Sequence, residues 1–208
     1  MPLQNRVTPE GEIEAVPQRG TMFGNRGGCF HTSEQTLLRR HFASKQWICC
    51  VLAFKSRRRA LMQPGRYTEL FFLDEATAIA AGHRPCFECC RPDAMRFAEL
   101  WNAALGLAGR AAAPAMDDQL QRERIDGQGR KIVTAMRAGD LPDFSFVRTG
   151  GLVGMKQGER ILPWSFDGYK RARRLAAETK VETLTPASVI AVLQQGYKPQ
   201  THISAVMS

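Results

Sequence analysis

Leu70-Phe-Phe-Leu-Asp-Glu-Ala-Thr-Ala-Ile-Ala-Ala-Gly-His-Arg-Pro-Cys-Phe-Glu-Cys-Cys-Arg-Pro-Asp93 carries more structural instruction than any other part of this 208-residue chain. It completes an apolar run, Tyr67 to Leu73, of strand length and strand composition. Asp74 suits the N-cap of a short helix over Glu75 to Ala81, which Gly82 terminates. Pro92 and Asp93 suit the first turn of a second helix, to which Met95, Phe97, Leu100, Trp101, Ala104 and Leu105 give an apolar face. Between the two helices stands Cys86-Phe-Glu-Cys89, the spacing at which two thiolates can turn back onto one tetrahedral Zn²⁺. A cytosolic redox dithiol usually opens a long helix after a strand. Here Gly82-His-Arg-Pro85 precedes the pair and Arg91-Pro92 follows it, so both edges are held in turns.

Upstream, Trp47-Ile-Cys-Cys-Val-Leu-Ala-Phe54 is another continuous apolar run, and Gln63-Pro-Gly-Arg66 is a turn signal. The two runs predict a β-hairpin whose loop carries Arg57, Arg58 and Arg59. Residues 1–20, with Pro2, Pro9 and Pro17, read as a flexible arm. Downstream, the Ala- and Gly-rich stretch Gly106 to Ala115 reads as a connector. Beyond it helices are expected over Met116 to Arg124 and Arg130 to Ala138, then short strands over Phe144 to Arg148, Gly151 to Met155 and Arg160 to Trp164. Thr185-Pro186 opens a last helix ending before Gly196. The expected class is α+β: a hairpin plus helix with a Cys-rich zinc knuckle over 21–106, then helices and a small antiparallel meander over 107–208, the second region packed with the first or separate from it.

The chain has 29 Lys and Arg against 20 Asp and Glu, a formal charge of +9 that favours polyanionic partners. Between Gln35 and Thr68 there are eight basic residues, Arg39, Arg40, Lys45, Lys55, Arg57, Arg58, Arg59 and Arg66, and no acidic one. Either a nucleic-acid-binding face, DNA or RNA, or a solubilising surface accounts for this. No apolar run approaches the roughly 18–20 residues that span a bilayer, so no membrane partner is expected. The N-terminus lacks the apolar core of a secretory signal, and a cytoplasmic location is the expectation.

In that compartment the six cysteines should be reduced, and their clusters read as metal ligation or packing before disulfides. They stand at Cys29, at Cys49 and Cys50, and at Cys86, Cys89 and Cys90. Candidate partners for Cys86 and Cys89 are one of Cys49 and Cys50, with Cys29, His31 or His83. Adjacent residues on a strand point to opposite faces, so only one of Cys49 and Cys50 can reach the knuckle. The other then packs in the core as a small hydrophobe. The competing reading has no metal and six buried or incidental thiols.

The segment from Leu70 to Asp93, 24 residues in all, resembles the N-terminal zinc-binding domain of the Ada DNA-alkylation-repair proteins. There a strand, a short Ala-rich helix and a Gly-x-Arg-Pro-Cys-x-x-Cys-Arg-Pro-like knuckle follow in the same order. The resemblance implies that Cys86 and Cys89 are zinc ligands and that Cys90 is an inserted residue. In that family the remaining two ligands come from an earlier C-x3-C, one cysteine of which accepts a methyl group from a DNA phosphotriester. The corresponding strand here is Trp47-Ile-Cys-Cys50, and Ala53 and Phe54 stand where a second cysteine would be. Cys49 or Cys50 is then the candidate acceptor, since a zinc-bound thiolate stays nucleophilic.

Three further constellations each have two readings. Phe23-Gly-Asn-Arg-Gly-Gly-Cys-Phe-His31 is a Gly-rich turn in which Arg26 could fork onto a phosphate, or a plain loop. Asp117, Asp118 and Glu123 could join His31 in a hydrolytic metal site, as a metal-dependent hydrolase or nuclease would need, or are solvated helix charges. Trp164, Phe166 and Tyr169, followed by Lys170 to Arg174, suit a single-strand-binding surface or the core. The expected function is a zinc-stabilised, nucleic-acid-binding protein related to DNA repair, with Arg26, Arg39, Arg40, Arg57, Arg58 and Arg59 as contacts. The alternatives are the hydrolase using His31 and a zinc-folded protein-interaction module.

Overall fold

The computed structural model describes residues 1–55, 60–109 and 111–207. Arg57, Arg58 and Arg59 of the expected hairpin loop lie outside the described residues.

Two six-stranded sheets make an α+β fold. The first holds β1 (Arg6–Val7), β2 (Ile13–Glu14), β3 (Met22–Arg26), β4 (Trp47–Val51), β5 (Leu70–Phe72) and β6 (Arg84–Pro85), in the order β2-β1-β5-β3-β4-β6. Both apolar runs are strands, but they do not form a hairpin. β3 lies between them, antiparallel to each, with Phe23 opposite both Cys50 and Phe71. The connection from Val51 to Leu70 is far longer than a hairpin turn, and it leaves room for a third strand. β3 itself falls in the stretch read as a Gly-rich turn. The turn begins only at Gly27, where φ is +76°.

Residues 1–20 are also tied into this sheet. β1 pairs with β2 and runs parallel to β5, and Val7 and Ile13 are buried in the core with Leu70 and Phe72. Their apolar side chains are spaced to cover the sheet edge, which the scattered prolines obscure in the sequence.

The helix α1 (Glu75–Ala80) forms where expected, and Asp74 caps it: its Oδ1 accepts from the Thr77 amide at 2.8 Å and the Thr77 hydroxyl at 2.7 Å. α2 (Arg91–Leu105) starts with its proline in the first turn and ends on Gly106 in the left-handed region. α3 (Ala113–Arg124) begins inside the stretch read as a connector.

The second sheet holds β7 (Thr134–Arg137), β8 (Phe146–Thr149), β9 (Leu152–Gln157), β10 (Arg160–Pro163), β11 (Arg173–Arg174) and β12 (Lys180–Thr183), all pairs antiparallel, in the order β11-β10-β9-β8-β12-β7. The meander β8-β9-β10 is the expected one. β7 corrects the helix expected over Arg130 to Ala138. Ile132, Val133 and Thr134 are β-branched, and the strand pairs with β12 over four residues.

α4 (Ala187–Gln194) is not capped by Thr185, whose hydroxyl instead accepts from the Phe146 amide at 2.9 Å. Glu123, reaching over from α3, accepts from the Ser188 amide at 2.9 Å and its hydroxyl at 2.6 Å. α5 (Ser204–Met207) closes the chain's described part.

The cores run across residue 107. Ile79, Phe97 and Trp101 pack with Met116, Leu120, Val189 and Val192 in one cluster. Leu73, Ala76 and Ala80 pack with Phe146, Met155 and Leu162 in another. Trp164 and Tyr169 belong with this core: Trp164 Nε1 donates to Thr77 Oγ1 at 3.1 Å, and the Tyr169 hydroxyl donates to Asp74 Oδ2 at 2.8 Å. Among the described residues no helix is long and apolar enough to cross a membrane.

Candidate metal centre

The edge strand β6 runs parallel to β4, with Cys49 opposite Pro85. This register, extended by a hydrogen bond from the Cys86 amide to the Cys49 carbonyl at 3.0 Å, delivers the knuckle to the side of β4 that carries Cys50. The sulfurs of Cys50, Cys86 and Cys89 lie within 4.8 Å of one another. Among the described residues they are the one group of three or more His, Cys, Asp or Glu side chains with ligand atoms so placed.

Three soft thiolate donors suit zinc. Four ligands at a Zn–S distance of about 2.3 Å would set tetrahedral sulfurs about 3.8 Å apart, so closing this cluster onto an ion takes a shift of about 1 Å or less. The knuckle backbone is already turned toward a charged sulfur. The Glu88 amide donates to Cys86 Sγ at 3.4 Å, and the Cys90 amide to the Cys86 carbonyl at 3.0 Å. The Cys86 thiol is lowered to about 5, chiefly because the Cys50 thiol donates to it; burial opposes this and the Cys89 and Glu88 amides assist. The same hydrogen bond, with burial, pushes Cys50 up.

Cys49 points to the other side. It is fully buried among Phe72, Ala78 and Leu70, and burial pushes its thiol well up. Cys90 joins the same core cluster, its sulfur 3.7 Å from that of Cys89, and desolvation raises it to about 12. The alternation along β4 thus divides the adjacent cysteines as strand geometry requires.

His31 is placed away from the knuckle sulfurs. Its Nδ1 is 2.7 Å from Thr68 Oγ1, its Nε2 3.3 Å from the Gln63 carbonyl, and Cys29 Sγ lies 3.7 Å from Nδ1. No carboxylate joins it in a ligand cluster among the described residues. Asp117 is forked onto Arg84, Asp118 pairs with Lys45, and Glu123 caps α4. His83 is also excluded: it is buried between Trp47 and Phe72, and its Nδ1 meets the Ala78 carbonyl at 3.2 Å.

The three sulfurs line a cavity of about 540 Å³ with Phe23, Tyr67 and Phe71 on its aromatic side and Glu69 and Glu88 as its acids. In the sequence the signal for this wall is the alternation of Phe23 and Asn25 in β3, which the neighbouring Gly24, Gly27 and Gly28 mask.

Comparison with protein-family models, with curated proteins and with solved structures returns no match.

Of the expected nucleic-acid contacts, Arg39 and Arg40 are exposed. Arg26 is 3% exposed and faces away from the cysteines, because it alternates with Asn25 along β3.

Proposed function

We propose that the chain is a zinc protein acting on nucleic acid at the cysteine cavity, with Cys50, Cys86 and Cys89 as protein ligands. The observation that carries this reading is the convergence of three sulfurs on the wall of an open, partly aromatic cavity. A catalytic zinc keeps three protein ligands and one position for water or substrate, and three ligands are what the fold supplies. The metal would hold the thiolates deprotonated and nucleophilic at neutral pH.

Cys89 is the most exposed of the three and Cys50 adjoins it, so these are the candidate acceptors if the Ada-like resemblance extends to chemistry. In that reaction the thiolate attacks the methyl carbon of a phosphotriester. The carbon–oxygen bond breaks, its electron pair stays on the phosphate oxygen, and the thiolate becomes a thioether. Phe23, Tyr67 and Phe71 would flank the incoming group and exclude water. The +9 charge supports a polyanionic substrate, while Arg39 and Arg40 line the cavity on the opposite side of the sheet.

The test combines metal content with transfer. About one zinc per chain, lost in Cys86→Ser, supports the centre. A one-methyl mass gain on the peptide bearing Cys50 or Cys89 after incubation with methylphosphotriester DNA supports the transfer. Metal-free protein purified without chelator overturns the centre. A salt-insensitive or absent affinity for DNA and RNA overturns the nucleic-acid reading and leaves a zinc-folded interaction module.

A further inference from the structure

On the opposite side of β3 and β4 the sheet carries a second cavity, of about 600 Å³, whose chemistry differs from that of the cysteine face. Its inner wall is cationic. Arg26 and Arg124 both stack on Trp47, their Cζ atoms 4.0 and 3.8 Å from its ring centroid. Lys131 joins them from the loop after α3.

None of these three cations has a carboxylate within ion-pair distance among the described residues. Arg26 donates to the Gly11 carbonyl at 2.8 Å, to the His41 carbonyl at 3.4 Å and to His83 Nε2 at 3.4 Å. Arg124 donates to the carbonyls of Gly82 at 2.9 Å and Lys45 at 2.7 Å and to the Gln121 amide oxygen at 2.5 Å. Lys131 donates to the Ala80 carbonyl at 2.5 Å. Arg124 is fully buried, lines the cavity, and its Nε has no partner. Carbonyl dipoles satisfy donors without cancelling charge, and buried charge without a counter-charge is costly.

The carboxylates of the lining do not restore balance. Glu10 pairs with Arg148 at 2.9 Å and Asp126 with Arg130 at 2.8 Å, which leaves Glu12. Against it stand the three inner cations and Arg39 and Arg40 at the mouth. Burial pushes both inner arginines below their ordinary value, opposed at Arg26 by Glu12 and assisted at Arg124 by Arg26, yet a guanidinium keeps its proton in proteins, so titration does not relieve the excess on the two arginines.

We propose that this cavity is a binding site for a phosphate-bearing anion of at least two negative charges, separate from the metal centre. A phosphate group brings the negative charge that this wall lacks and acceptor oxygens for Arg124 Nε, and arginine is the side chain suited to them. The volume lies in the range of small-molecule sites. The site goes beyond the zinc reading and does not depend on it: Asn25 and Cys50 face one cavity, Arg26 and Trp47 the other.

The probe is inorganic pyrophosphate, added to the metal-loaded protein and read as a shift in Tm against potassium chloride of equal ionic strength. At a hundredfold excess over Kd the expected rise is roughly 5–10 °C. Lys131→Met should raise Tm without ligand, because it deletes an amine whose protonated form has no counter-charge in the fold, and should remove most of the pyrophosphate response. Arg124→Gln should remove the response too, and Lys131→Met keeps the test open if that variant fails to fold. An oligonucleotide without terminal phosphates that competes pyrophosphate away assigns the site to a chain phosphate; failure to compete assigns it to a free or terminal phosphate. A pyrophosphate shift no larger than that of chloride, an equal shift from succinate, or a response undiminished in Lys131→Met overturns the proposal.

Discussion

The guanidinium of Arg84 and the carboxylate of Asp117 meet as a two-point fork, Nε to Oδ1 and Nη2 to Oδ2, both at 2.8 Å and both side chains under a tenth exposed. The fork joins the strand immediately before the knuckle to the middle of α3. Burial pushes the Asp117 carboxyl up, and the hydrogen bonds from Arg84 pull it back. The pair therefore fixes the position of Cys86 relative to the rest of the core, two residues downstream of Arg84.

Breaking one half of such a fork leaves the other charge buried and alone, which costs about 3–5 kcal/mol, whereas removing both is much milder. Asp117→Ala should lose that much stability by denaturant titration. Arg84→Met with Asp117→Leu should lose distinctly less than the sum of the single changes. The single variant should also bind zinc more weakly, since it frees the strand that presents Cys86.

The knuckle and its flanks were legible because local chemistry dictates them: Asp74 caps, Gly82 turns, Pro92 starts a helix, and period-two alternation separates Cys49 from Cys50. The β8-β9-β10 meander was legible for the same reason, as neighbouring strands joined by short turns. The insertion of β3 between β4 and β5 was not, because nothing local to Trp47–Val51 or Leu70–Phe72 records which strand lies beside them. The cationic cavity was hidden likewise. Arg26, Arg124 and Lys131 are far apart in sequence, and only the pairing of β3 with β4 and the packing of α3 bring them to one wall.

Metal binding should separate the two adjacent cysteines cleanly. Cys50→Ser and Cys86→Ser should each abolish stoichiometric zinc, measured by elemental analysis. Cys49→Ala should retain it and lose about 1 kcal/mol of stability, a small cavity in a full core. Loading the apo protein at pH 7 should release protons, because zinc takes its cysteine ligands as thiolates.

Lys131 gives the protein a pH dependence of known sign. Burial, then Arg26 and Arg124, lower it from 10.5 to about 7, against the pull of Glu10; His41 also lines this cavity. Between those two values the unfolded chain binds the proton that the folded chain has shed, so the Lys131 contribution to stability rises with pH over that window. At pH 7 to 8 Lys131→Met should be more stable than the parent, and by about pH 10 the gap should have closed. A gap that widens with pH means Lys131 has a counter-charge.

Gly82 is held at φ +92°, and a Cβ there would fall 2.7 Å from both Cβ and Cδ of Arg124. Gly82→Ala therefore meets two penalties, a backbone conformation unfavourable for an L side chain by about 1–2 kcal/mol and a collision with a fully buried arginine stem. Gly196 has the same φ of +92° with nothing within 4 Å of its missing Cβ. Gly196→Ala should thus show the backbone cost alone. The difference between the two variants, expected to be about 1–3 kcal/mol by denaturant titration, measures how firmly Arg124 is fixed against Trp47. If the two variants lose equal stability, Arg124 moves aside freely, and the cationic wall is a pliable surface rather than a preorganised one.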